Sequence, residues 1–243
     1  MTPACRTACR GALLAWIVAA CAFPADAGAE GIGSTVAGDL RSLWSVRSLE
    51  IVGAGAALTL AVRPYDDPDA AVRRLGRGAV EGFGDVGNFY GGYLVFAAAA
   101  GAWGAGNLAH DPGLIRAGSE LTRSLVYTSV VVTGLKVAFH RTRPNGGRYS
   151  FPSGHAAVAF AVAPVLARRF GRLAEISSYA LAAGTAMGRM EDRKHYLSDV
   201  VFGAAVGASI GIAVARDHGE AAAPHASLSF VVRPDAVGLA ARF

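Results

Sequence analysis

The stretch "KVAFHRTRPNGGRYSFPSGHA", residues 136–156, decides how this chain is read. Before it runs a helical pattern over about residues 113–140, with the charge-free run Ser124–Leu135. After it runs a second apolar stretch, Ala156–Ala167. Between them, Arg-Pro-Asn-Gly-Gly and Pro-Ser-Gly cannot continue a helix, because proline lacks a donor and glycine favours turns. One helix therefore ends here and another begins at Pro-Ser-Gly-His. The link also carries Arg141, Arg143 and Arg148 and no acidic residue. Such a link asks what needs so much positive charge beside a histidine at a helix start.

The same punctuation organises the rest of the chain. Candidate helices cover roughly 45–62, 69–80, 84–108, 113–140, 155–170, 173–190 and 195–216. The breaks are "RPYDDPD", "AHDPG", "RPNGGRYSFPSG", "RRFGR" and "MEDRK". The expected fold class is all-α, a bundle of about six to seven helices. The end of the chain, "SLSFVVRPDAVGLAARF", alternates apolar with small or polar residues and reads as a short β-hairpin-like tail.

The start of the chain reads as a targeting segment. Arg6 and Arg10 precede the apolar "GALLAWIVAACAF", and "ADA" at Ala25–Ala27 offers a small-residue cleavage site, with "AGA" as a rival. The expected organisation is a signal peptide over 1–27, a helical domain over 28–225 and a strand-like tail over 226–243. Cys5, Cys9 and Cys21, the chain's three cysteines, all lie in the first segment, so the mature chain would have no disulfide and no cysteine–metal site. "VAAC" ending at Cys21 also fits a lipoprotein signal, which would lipidate that residue.

Composition narrows the function classes. The chain has 243 residues, is 53% hydrophobic, holds 31 glycines and carries a net charge of +5. Its basic residues are scattered, without aromatic interleaving, which argues against nucleic acid as a partner. Among the charge-free runs, only Val86–His110 reaches the ~20 residues that a membrane span needs. Six full spans after a cleaved signal would also put the Arg168, Arg169 and Arg172 loop outside, against the positive-inside rule. The expectation is a periplasmic helical bundle in contact with the membrane, and a bundle with marginal embedded spans is the alternative.

Three segments collect the chemistry: Lys136–Pro144 at a helix end, Pro152–His155 before the next helix, and Arg189–Asp199 across a helix junction. Counting helices in an antiparallel bundle brings all three to one end. Lys136, Arg143 and Arg189 converge, with Arg141, Arg148 and Arg193 close in sequence, and outweigh the nearby acids, which is the balance of an anion site rather than a metal site; the arginines of the link, with Lys136, read as a clamp on phosphate. Ser153 and Gly154 offer a helix N-terminus, whose free N–H groups and dipole favour phosphate. His195 and Asp199 stand four apart on one helix face, so the carboxylate can orient the ring. A second histidine, His155, can protonate a leaving oxygen.

These residues, K-x6-R-P, P-S-G-H and R-x5-H-x3-D, resemble the signature of the type 2 phosphatidic acid phosphatase (PAP2) superfamily, which includes bacterial acid phosphatases, lipid phosphatases and vanadium haloperoxidases. The resemblance covers about residues 113–216. It implies that His195 attacks phosphorus, Asp199 orients it and His155 protonates the leaving group. It also implies that Lys136, Arg143, Ser153, Gly154 and Arg189 bind phosphoryl oxygens, with no cofactor. Two departures stand out: Gly188 replaces the usual serine before the third-motif arginine, and only seven residues separate Pro144 from Pro152. So short a link leaves little for a lid, which suits a lipid or polyprenyl phosphate. The expected activity is a phosphoric monoester hydrolase of the bacterial cell envelope. The alternatives are a vanadium-dependent haloperoxidase and a non-catalytic protein that binds anionic lipid.

Overall fold

The computed structural model describes residues 32–67, 77–216, 227–233 and 236–242. The expected signal segment, its cleavage sites and all three cysteines lie outside the described residues. So does most of the helix expected over 69–80.

The bundle is all-α, as the punctuation implies. In chain order it comprises α1 (Ile32–Leu43), α2 (Val46–Val62) with a 3₁₀ turn at Arg63–Tyr65, and α3 (Arg77–Phe89), which runs through a π turn at Tyr90–Leu94 into α4 (Val95–Ala109). There follow α5 (Pro112–Phe139), α6 (Gly154–Glu191) and α7 (Leu197–Val214). Helix α1 was not expected. The single helix expected over 84–108, which holds most of the charge-free run Val86–His110, is shared among α3, the π turn and α4.

Local chemistry sets the helix ends. Asp111 caps α5 by accepting from the backbone N–H groups of Gly113 and Leu114 at 2.8 and 3.2 Å, and Pro112 follows at the first helical position. At the other end His140 adopts the left-handed conformation and its N–H returns to the Lys136 carbonyl. Ser153 caps α6 toward the Ala156 N–H. Within α6, Gly171 breaks the helix at φ 79°, ψ −168°. The "RRFGR" break is thus a reversal inside α6, whose halves 154–170 and 172–191 return to one end. A Cβ on Gly91 of the π turn would meet both the His155 carbonyl and the Thr185 side chain, one from each half.

Small residues let these helices touch backbone to backbone. Gly207 of α7 faces the Ala157 carbonyl of α6 so closely that any Cβ would overlap it. Gly87 of α3 meets the Gly184–Thr185 peptide of α6 in the same way. Around these contacts a core forms from Val95, Leu121, Leu125, Val158, Val162 and Val165. Truncating one such side chain, Leu125 for example, would cost about 2–5 kcal/mol.

Among the described residues one helix, α7, is long and apolar enough to cross a membrane, and 61% of it is buried in the protein. The bent pair Gly33–Leu43 and Val46–Tyr65 passes the same test jointly. Several large apolar side chains are nevertheless exposed, Leu108 at 85% and Trp44 and Leu173 at 78% each.

Candidate active site

The end of α5, the start of α6, the end of α6 and the start of α7 meet, as helix counting anticipated. His195 is 2% exposed and Asp199 fully buried. Nδ1 of His195 lies 3.7 Å from Oδ2 of Asp199. That is ion-pair range rather than a hydrogen bond, and Nδ1 has no hydrogen-bond partner among the described residues. Asp199 is itself firmly held. Its Oδ1 accepts from Arg141 Nη1 at 2.7 Å, and its Oδ2 accepts from the Ser150 hydroxyl and from the Tyr196 N–H at 2.9 Å. Burial pushes the Asp199 carboxyl up, but the contacts with His195, Ser150, Tyr196 and Arg141 outweigh it and hold the group below its ordinary value.

The cationic groups crowd one another. Lys136 donates to the Tyr149 carbonyl at 2.7 Å. Its pKa falls to about 8, first through burial and then through Arg143 and Arg189, with Asp199 opposing. Burial lowers Arg143 and Arg189 as well. The Nε atoms of both arginines are buried without a hydrogen-bond partner among the described residues. Arg189 Nη1 lies 3.2 Å from Asp192 Oδ2 and 3.5 Å from Asn88 Oδ1. His195 falls to about 4, mainly through burial, against the pull of Asp199. His155 falls to about 3, again first through burial and then through Arg189, His195, Lys136 and Arg143. Both imidazoles are therefore neutral at pH 7.

Ser153 is fully buried, its N–H donating to the Asp199 carbonyl at 2.9 Å. That bond ties the start of α6 to the start of α7. A Cβ on Gly154 would lie 3.8 Å from Lys136 Cε, which puts this first residue of α6 beside the lysine. Next to it opens a cleft of about 200 Å³, lined by Gly91, Gly92, Phe96, Val132, Lys136, His155 and Val158 among others. Lys136, His155, Ser129 and Thr133 are its polar lining residues, and the rest is apolar or glycine.

The three arginines of the opening stretch part company. Arg143 faces the cationic cluster, Arg148 is exposed, and Arg141 points away into carboxylates. Reading all three as a clamp on sequence proximity overlooked that alternate side chains in a turn diverge. Ser150, Asn88 and Asp66 were missed altogether. Ser150 stands three residues before Ser153, inside the quoted stretch. Asn88 and Asp66 carry no local signal beyond being polar residues in an apolar helix and in a charged break.

Gly188 has a steric reason. A Cβ there would lie 2.5 Å from the Gly84 carbonyl oxygen and 2.9 Å from Asn88 Nδ2. Helix α3 occupies the space a serine would need.

Comparison with known proteins agrees with this geometry. Residues 118–222 match the family model described as the PAP2 superfamily. That segment, less than half of the chain, is what resembles the family. It contains all eight residues singled out for the site. Over 85 residues the chain is 38% identical to the lipid A 1-phosphatase of Porphyromonas gingivalis, a match covering 33% of this chain and 19% of that protein. The chain thus spans about a fifth of that relative's length. No solved structure matches the chain.

Proposed function

We propose that this protein is a metal-independent phosphatase of the PAP2 type that hydrolyses phosphate monoesters or lipid (di)phosphates through a phosphohistidine. The observation that carries the reading is the meeting of Arg143 Nε and Arg189 Nε, both buried and unpartnered among the described residues, with Lys136 beside the neutral His195. Buried donors without partners are costly, and a phosphoryl group would satisfy them bidentately. Ser153 and Gly154 add the N-terminus of α6.

In the first step Nε2 of His195 attacks phosphorus while the bond to the ester oxygen breaks. Asp199 takes the developing charge of the imidazolium on its near oxygen. The leaving oxygen takes a proton from His155. In the free site His155 is depressed by burial and by four neighbouring cationic or imidazole groups. A phosphate dianion offsets those charges, so binding the substrate itself raises the affinity of His155 for its proton. In the second step His155 accepts a proton from water, the water oxygen bonds to phosphorus, and the phosphorus–nitrogen bond breaks. Inorganic phosphate leaves and His195 is restored.

The apolar walls of the cleft, Phe96, Val132 and Val158, support an ester with an apolar alcohol, consistent with a lipid or polyprenyl phosphate. The exposed apolar side chains and the lipid phosphatase relative support contact with a membrane. A signal peptide over 1–27, a periplasmic location and the strand-like tail belong to the same proposal. The test is hydrolysis of an aryl phosphate and of a lipid phosphate in EDTA, with vanadate as the transition-state mimic. Activity that survives EDTA, is blocked by vanadate and is lost in His195→Ala is the expected result. A strict need for a divalent cation, or full activity in His195→Ala, overturns the reading.

A further inference from the structure

The loop after α2 reaches the proposed dyad from outside the family-matched segment. Asp66, at the end of the 3₁₀ turn, is 9% exposed in its side chain. Its Oδ2 accepts from Arg141 Nη2 at 2.8 Å and from the Ser198 hydroxyl. Its Oδ1 accepts from the Ser198 N–H at 2.9 Å. Arg141 in turn donates through Nη1 to Asp199 Oδ1 and to Ser198 Oγ, both at 2.7 Å. Its guanidinium lies over the Tyr196 ring, 4.2 Å from the centroid. One guanidinium is thus clamped between two carboxylates and an aromatic face. Asp66 also supplies a carboxylate to the N-terminus of α7, where the helix dipole favours it.

We infer that Asp66 is a positioning residue for the His195–Asp199 pair, acting through Arg141 and Ser198; the inference rests on the phosphatase reading above. The reasoning follows the bonds. His195 contacts Oδ2 of Asp199, so the rotation of that carboxylate sets the aim of the ring. Arg141 holds the opposite oxygen, Oδ1. A long arginine side chain stays in one geometry only if its fork is satisfied on both sides, and Asp66 satisfies the far side. The Ser198 contacts fix the first turn of α7, from which Asp199 projects. Asp66 touches neither the cationic cluster nor the cleft, so its effect would fall on the chemical step and not on phosphate binding.

The test is a double-mutant cycle in the full chain with Asp66→Asn, Arg141→Met and the pair together, assayed on an aryl phosphate. Asp66→Asn should lower kcat about 10-fold to 100-fold, the cost of a small misplacement at a reacting centre, with KM and the vanadate inhibition constant unchanged. The double variant should lose no more than the worse single variant, because both act through one contact. An unchanged kcat, additive losses, or a loss that appears equally in KM and in vanadate affinity overturns the inference. If Asp66→Asn does not fold, Ser198→Ala carries the test: it should lower kcat in the same direction, and an unchanged kcat overturns the inference. His195→Ala run alongside separates the two readings. Its inactivity beside a normal Asp66→Asn removes only the positioning role, whereas its full activity removes both.

Discussion

From Pro112 onward, the helices and the links between them carry every residue with a proposed chemical role: Lys136, Arg143, Ser153, Gly154, His155, Arg189, His195 and Asp199. The helices before Pro112 carry no recognisable motif, yet they close the same site. Asp66 reaches Arg141 and Ser198, Asn88 reaches Arg189 and Asp192, and Gly91 and Gly92 line the cleft beside His155. The later half supplies reactive groups; the earlier half supplies support and walls. Such division is expected where chemistry fixes residue identity in one place and only shape or a single hydrogen bond is required in another. A reacting nucleophile tolerates almost no substitution, whereas a wall can be built from many sequences.

The largest effect should come from forcing the two halves apart. Gly87→Leu would push α3 off the Gly184–Thr185 peptide, and Gly207→Leu would push α7 off Ala157. Both contacts are backbone to backbone, with no flexible side chain to yield. Each variant should lose about 3 kcal/mol or more, at the upper end of overpacking costs, read by denaturant unfolding. Equal losses would mean that the earlier half is as integral to the folded body as the later one. A neutral Gly87→Leu would break the comparison, leaving α3 as a detachable cover.

A smaller effect should appear on acidification, and it belongs to the later half alone. His155 and His195 are held near 3 and 4, below the ordinary histidine value of 6.5. Between these values and 6.5 the unfolded chain binds protons that the folded chain refuses. Stability therefore falls as pH drops from about 6.5 toward 4, and is insensitive to these groups above 6.5. Asp199 acts lower still, losing its contribution as pH falls below the ordinary carboxylate value. The midpoint of thermal unfolding, followed from pH 7 to pH 4, should decline. Saturating vanadate should flatten the decline, because an anion among the cations lets both rings take up protons in the folded state. A flat profile without ligand would mean that the histidines are solvated and the cationic crowding is not felt.

The contrast between halves also explains what could be read in advance. Helix ends at Asp111, His140 and Ser153 were legible because capping and Pro/Gly chemistry are local. The meeting of three motifs at one bundle end was legible because antiparallel helices return by count, and the Gly171 reversal keeps that count. Asp66 was not, since its role depends on Arg141 and Ser198, more than seventy residues away in the chain. The spread of Val86–His110 over a π turn was not, because the run has no charge or proline to mark a change of helical register. Arg141 was misgrouped with the clamp for the opposite reason: neighbours in sequence were taken as neighbours in space.

The smallest effect should come from Gly188→Ser, which restores the residue expected by family resemblance and sets the two halves in direct competition. A serine hydroxyl near Arg189 could in principle add a phosphate contact. In this chain the space belongs to the earlier half: the new Cβ would lie 2.5 Å from the Gly84 carbonyl oxygen and 2.9 Å from Asn88 Nδ2. Asn88 is the side chain that lies between Arg189 and Asp192. Moving it would loosen Arg189 before the hydroxyl could help. The expected outcome is a stability loss of about 1–3 kcal/mol, with phosphate and vanadate affinity unchanged or slightly weaker. Tighter vanadate binding at unchanged stability would mean that α3 yields easily, and that the glycine reflects no steric demand from the helices before Pro112.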